Sequence, residues 1–167
     1  GKPIVALEHV NFLSEEMPNL VSRVFPLEYL EMHDYHRVLA GQDPFVGFKV
    51  DHARLAGEVL QSIRGNLLRV RQRFIEGGGT EETVTILLPL SITALCPPLR
   101  GVQRLAGRPV LSQSGPLLDD VEQHLRLDCS GLRDALFLKR GQITPGHKEV
   151  PRLFGRYVEN LEQLMHK

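Results

Sequence analysis

The chain has 167 residues, 42% hydrophobic and 24% charged. That is the composition of one globular domain, with or without part of a second, and it excludes disorder, collagen-like repeats and a disulfide scaffold. Lys plus Arg number 20 and Asp plus Glu 20, so the formal charge is zero, no global field draws in nucleic acid or an acidic membrane, and any basic site is local.

The first 45 residues have a character of their own. Pro3 to Leu7 and Pro26 to Met32 read as strands, the second with Leu27 and Tyr29 alternating with Glu28, and Ser14 to Val24 between them reads as a short helix. An isolated strand pair is marginal in water, so these strands are expected either to lie on helices or to be the remnant of a larger sheet.

From about residue 50 the apolar period is helical. Leu55, Val59, Ile63, Leu67, Val70 and Phe74 form one stripe, with Asp51 as its N-cap and Gly77-Gly78-Gly79 as its stop. Thr80 caps a second helix, with Glu81 and Glu82 in its first turn. It runs through Ile86, Leu90, Leu95, Leu99 and Leu105 to Gly107, is apolar nearly all round, and reads as central. Pro89 and Pro97-Pro98 predict a kink or break in it.

Ser112 or Ser114 opens a third helix through Leu125, and Ser130 caps a short fourth one from Gly131 to Lys139. After the turn at Thr144-Pro145-Gly146, a last helix runs from about Lys148 to His166, with Val150, Leu153, Tyr157, Leu161 and Leu164 on its apolar face. The expected fold is therefore mainly α: an antiparallel up-and-down bundle of four to five helices over residues 46–167, with a small N-terminal β/α segment over 1–45.

No apolar run approaches the roughly 20 residues that span a bilayer, and no basic segment leads into an apolar signal region. A cytoplasmic location without membrane contact is expected. Cys96 and Cys129 form no Cys-x-x-Cys pattern, which suits reduced thiols better than a staple or a zinc site.

The densest polar cluster is His33, Asp34 and His36, whose imidazoles and carboxylate are metal-ligand types. The spacing lacks the helical register of zinc proteases and no third ligand stands out, so a hydrogen-bonding role is favoured and no metal is expected. Gly77-Gly78-Gly79-Thr80 resembles a phosphate cradle in composition only: Glu81 and Glu82 oppose an anion, and no Lys follows the glycines. Arg64, Arg69, Arg71 and Arg73 make one helix basic, and Arg100, Arg104 and Arg108 the next. Such rows are usually solvated faces paired with acids, although the guanidinium fork also suits phosphate. If they turn toward a cleft, Asn66 and Arg71 are the residues to watch. Tyr29, Tyr35 and Tyr157 are the only tyrosines and Trp is absent, so base stacking and nucleic-acid binding are not expected. No nucleophile motif is present.

Val24 to Met32 with His36 to Phe45, Ile63 to Gln72, and Leu99-Arg100 with Leu105 to Pro109 are three stretches that resemble bacterial and archaeal nucleotidyltransferase-like proteins. Val24-Phe25-Pro26-Leu27-Glu28-Tyr29-Leu30-Glu31-Met32, followed by His36-Arg37-Val38-Leu39-Ala40-Gly41-Gln42-Asp43-Pro44-Phe45, is similar to that family's FPxEFLD strand and its HRVLYGEDPL segment. Ile63-Arg64-Gly65-Asn66-Leu67-Leu68-Arg69-Val70-Arg71-Gln72 resembles the family's ELRGKLLRLRQ helix. Leu99-Arg100 with Leu105-Ala106-Gly107-Arg108-Pro109 resembles the helix end LLRALLRLxGxxP. Ala40 stands where the family has an aromatic residue, and Asn66 where it has a lysine.

The resemblance implies a helical substrate-binding-like accessory domain, not catalytic by itself, that follows a catalytic domain in the same full-length chain. Magnesium and a nucleoside triphosphate would belong to that other domain. It implies substrate or phosphate contacts from Arg64, Asn66 and Arg71, with His36 and Arg37 at the junction. The alternative is a helical protein-interaction or homodimerisation module.

Overall fold

The computed structural model describes residues 25–43, 45–47 and 49–167. Among the described residues the chain is mainly helical and contains no strand. The helices are α1 (Pro26–Tyr35), α2 (His52–Glu76), α3 (Glu81–Leu105), α4 (Ser114–Leu125), α5 (Ser130–Lys139) and α6 (Val150–Leu164), the last preceded by a short 3-10 turn, His147–Glu149. The strand expected over Pro3 to Leu7 and the helix over Ser14 to Val24 lie outside the described residues. The chain divides into two compact units, Gly1–Glu58 and Val59–Lys167. That division falls within α2, whereas the sequence changes character near residue 45.

The strand expected over Pro26 to Met32 is α1 instead. Pro26 sits in its first turn, where a missing N–H costs nothing, and Glu28 complements the positive end of the dipole. Leu27, Tyr29 and Leu30 are all buried. Adjacent Tyr29 and Leu30 would point to opposite faces of a half-buried strand, whereas a helix places them on one broad face.

The α2 and α3 boundaries follow local chemistry. Asp51 Oδ1 accepts the amides of Ala53 at 2.8 Å and Arg54 at 3.3 Å. Gly78 and Gly79 end the turn after α2 at φ +66 and +62, and Thr80 caps α3 by accepting the Thr83 amide at 3.2 Å. No break occurs in α3, although Pro89, Pro97 and Pro98 all lie inside it. The carbonyls that these prolines leave without an i+4 donor belong to Thr85, Thr93 and Ala94, and all three residues are exposed, so water can satisfy them.

In the second unit α3 packs against α4, α5 and α6, and α5 against α6. Val84, Leu88, Ile92, Leu95 and Leu99 along α3 are essentially sealed from solvent, each contributing about 1.5–3 kcal/mol relative to exposure. The other side of α3 is not covered, since Ile86 and Leu90 are exposed. By length and composition α3 is apolar enough to cross a membrane, contrary to the expectation that no segment is. Its buried line is equally that of a core helix.

Ser114 and Ser130 do not cap by their side chains. Gln113 and Cys129 hold the N-cap positions without a side-chain bond. At α5 the work passes to Asp128, which accepts the Ser130 amide at 2.9 Å, and to Asn160 of α6, which accepts the Gly131 and Leu132 amides at 2.8 and 3.2 Å. Gly131 permits that approach: a Cβ there would lie 2.5 Å from the Arg156 carbonyl carbon and 2.6 Å from the Tyr157 nitrogen.

Gly131→Ala should therefore destabilise the protein by roughly 1–3 kcal/mol in urea denaturation. Gly155→Ala, on the open side of α6 with nothing within 4 Å of the added Cβ, should be stabilising by up to about 1 kcal/mol. Equal effects would contradict the backbone contact.

Candidate functional site

The five residues singled out for substrate contact separate into two groups. Arg64, Asn66 and Arg71 lie on α2 in the second unit, and His36 and Arg37 follow α1 in the first. On α2 the 3.6-residue period sends Arg64 and Arg71 to one side and Asn66, with Arg69, Val70 and Arg73, to another.

Asn66 is not a surface contact. It is 3% exposed, its Nδ2 donates to the Ser91 carbonyl at 3.0 Å, and its Oδ1 accepts the Ser91 hydroxyl. Tyr157 of α6 donates its phenol to the same Ser91 Oγ at 2.7 Å. Burial pushes the Tyr157 phenol well above its ordinary value, so it remains a donor at any physiological pH. One buried chain thus ties α2, α3 and α6 together. Arg71 reaches in another direction and pairs with Glu162 of α6, while Phe74 stacks on Phe154 with ring centroids 3.6 Å apart.

Most other cations are also committed. Arg100 is buried and donates Nε to the Leu111 carbonyl and Nη2 to the Ser112 carbonyl, each at 3.2 Å, so it supports the loop before α4. Arg108 pairs with Asp120, which also accepts from the buried Gln103 at 2.7 Å. The Arg108 hydrogen bond holds the Asp120 carboxyl below the usual carboxylate range, with Gln103 adding to it. Arg133 pairs with Asp119 and Glu122. By contrast Arg37, Arg64 and Arg69 are exposed and make no ion pair or hydrogen bond among the described residues. Arg73 has only an exposed contact with Glu76 at 3.5 Å.

His33, Asp34 and His36 do not converge as a donor set. His33 Nδ1 lies 3.3 Å from Asp34 Oδ1, while His36 turns Nδ1 to the His33 carbonyl at 2.7 Å and Nε2 to Asp43 Oδ1 at 3.1 Å. Both of its partners are acceptors, so the doubly protonated ring makes both bonds and the neutral ring makes one. Asp43 Oδ1 also accepts the Phe45 amide at 2.9 Å, and Phe45 packs against Tyr29 and His36. The cluster fastens the segment after α1 back onto that helix. Among the described residues no group of three or more His, Cys, Asp or Glu side chains is arranged to hold a metal ion. Burial pushes the Cys129 thiol up to about 11, which keeps it protonated and unreactive.

Sequence reasoning passed over a concavity in the second unit. A groove of ≈ 240 Å³ lies between α2 and α3, lined by Asn66, Arg69, Val70, Arg73, Leu87, Leu90, Ser91 and Ala94. Its accessible lining is almost wholly apolar, with Asn66 and Ser91 buried and already satisfied beneath it, and Arg69 and Arg73 stand on its α2 rim. The signal was present in the exposed step of Ile86 and Leu90, which the all-round apolarity of α3 concealed. No protein-family model, curated protein or solved structure matches this chain.

Two outcomes follow for the reassigned residues. Asn66→Ala should cost about 1–3 kcal/mol of unfolding free energy because it strands buried Ser91 groups, whereas Arg71→Ala, which loses one exposed pair, should cost about 0–1. The reverse order would return Asn66 to the surface.

The Phe45 amide, assisted by His36, holds the Asp43 carboxyl below its ordinary range. Its stabilising contribution is therefore full above the ordinary value of about 4 and fades as pH falls through the lower folded value. Protection of the Phe45 amide from exchange should drop over that acid interval in the wild type, with no such step in Asp43→Asn.

Proposed function

We propose that this chain is the helical accessory domain of a nucleotidyltransferase-like protein, with no catalysis of its own. Its helices would form an up-and-down bundle beside a catalytic domain of the same full-length chain, and its part would be to hold an anionic, phosphate-bearing substrate. The observation that carries this reading is the uncommitted guanidinium of Arg64 in the second unit, where acids already neutralise Arg71, Arg108 and Arg133; Arg37 of the first unit is likewise uncommitted. An exposed arginine without a carboxylate partner retains its fork of donors for a phosphate oxygen pair.

The α2 segment from Ile63 to Gln72 supports the family likeness more than the segment around Pro26 does, because the latter is a helix where the family has a strand. Of the five sequence candidates, Asn66 and Arg71 hold α2 in place and His36 positions the segment that carries Arg37. On this reading magnesium and the nucleoside triphosphate would belong to the catalytic domain.

The purified chain mixed with magnesium and ATP should release no pyrophosphate above the buffer rate; turnover would overturn the reading. In an NMR titration with ATP, the Arg64 region should shift, and Arg64→Ala should weaken binding about tenfold, as expected for loss of one charge-assisted contact. No shift at Arg64 or Arg37 in the wild type would remove the proposed phosphate contact.

A further inference from the structure

The outer face of α3 carries a ridge that nothing in the second unit covers. Glu82, Ile86 and Leu90 follow one another at four-residue steps and so share one line of the helix. Ile86 is 56% and Leu90 65% exposed, and Glu82 has no partner among the described residues. Leu90 of the ridge is also one wall of the groove, which continues over Val70, Leu87 and Ala94 to Arg69 and Arg73 along its α2 rim. Arg69 is uncommitted and folds back along its own helix, its Nη1 lying 3.3 Å from where a Cβ on Gly65 would sit.

The dimensions decide the kind of occupant. At ≈ 240 Å³ the groove is smaller than the ~300–1,000 Å³ of small-molecule pockets, and its mouth is open. It suits the side chains of a helix laid along it, where apolar residues at steps of three and four fill the trough. The cationic rim asks for an acidic edge on that helix. The ridge of α3 itself has this make-up: an acidic start at Glu81 and Glu82, then Ile86 and Leu90.

A surface that carries both a ridge and its own complement is what a two-fold axis requires, since the same patch must serve both partners. The formal charge of zero means that two copies do not repel as wholes. We propose that the α2–α3 groove is a homodimer interface, in which the α3 ridge of each copy lies against the groove of the other and the Glu82 edge faces the rim of Arg69 and Arg73. This goes beyond the proposed accessory role and does not depend on it.

Sedimentation velocity on the full 167-residue chain, taken from low micromolar to high micromolar concentration, tests the interface. A monomer–dimer equilibrium that weakens with added salt is expected. Leu90→Glu, at a position too exposed to matter for folding, should raise the dimer dissociation constant by about tenfold or more. Ile86→Glu serves as the second variant, and circular dichroism reports that each still folds. Arg69→Glu and Glu82→Arg should each weaken association, and the double variant should recover it. A strictly monomeric wild type, a dimer indifferent to both Leu90→Glu and Ile86→Glu, or a double charge swap no better than the singles would overturn the proposal. Because Arg64 and Arg37 take no part in this test, its failure leaves the phosphate reading standing, and the converse holds.

Discussion

The second unit depends on the buried hydrogen-bond chain from Asn66 through Ser91 to Tyr157. Three helices contribute one member each, and every polar atom in the chain finds a partner. Such a network stabilises only in one arrangement, because sliding or rotating any member strands a buried polar group at a cost of about 1–3 kcal/mol. It therefore fixes the rotation of α2 about its own axis more sharply than the leucine stripe does. Apolar contacts tolerate small slips, whereas directional bonds do not.

That rotation determines which arginines are available. With Asn66 turned inward, Arg69 and Arg73 fall along the groove, and Arg64 and Arg71 share another side of α2, where Arg71 meets Glu162 of α6 and Arg64 meets no acid. The zero formal charge conceals this asymmetry. Acids neutralise Arg108 after α3, Arg133 of α5 and Arg156 of α6, while the α2 row is only partly neutralised. Charge that no neighbour cancels is what remains to meet another molecule, and here it lies next to uncovered leucine and isoleucine side chains.

Local signals carried much of the fold. The four-residue stripe of α2, the Asp51 and Thr80 caps and the three glycines after Glu76 each act within one or two turns, so they are legible from neighbours in the chain. The failures have a common cause, which is that the deciding partner is distant. Pro26 to Met32 satisfies a period of two as well as a helical one, and burial of both Tyr29 and Leu30 selects the helix. The Asn160 cap on α5 spans 28 and 29 residues, and the Asn66 bond to Ser91 spans 25. Neither has any local signature. Of the candidate site, Arg64 and Arg37 were named from sequence and lie free, while the groove that adjoins Arg69 required both helices in place.

What the sequence determined by itself is the helical class of most of the chain, the ends of its two longest helices and the local nature of its basic character, because periodicity, caps and composition are short-range properties. The tertiary structure alone decided which side of each helix is buried, which cations are cancelled and where a concavity opens. Those are properties of pairs of residues brought together across tens of positions, and a polar side chain such as Asn66 has the same local sequence context whether it faces water or the core.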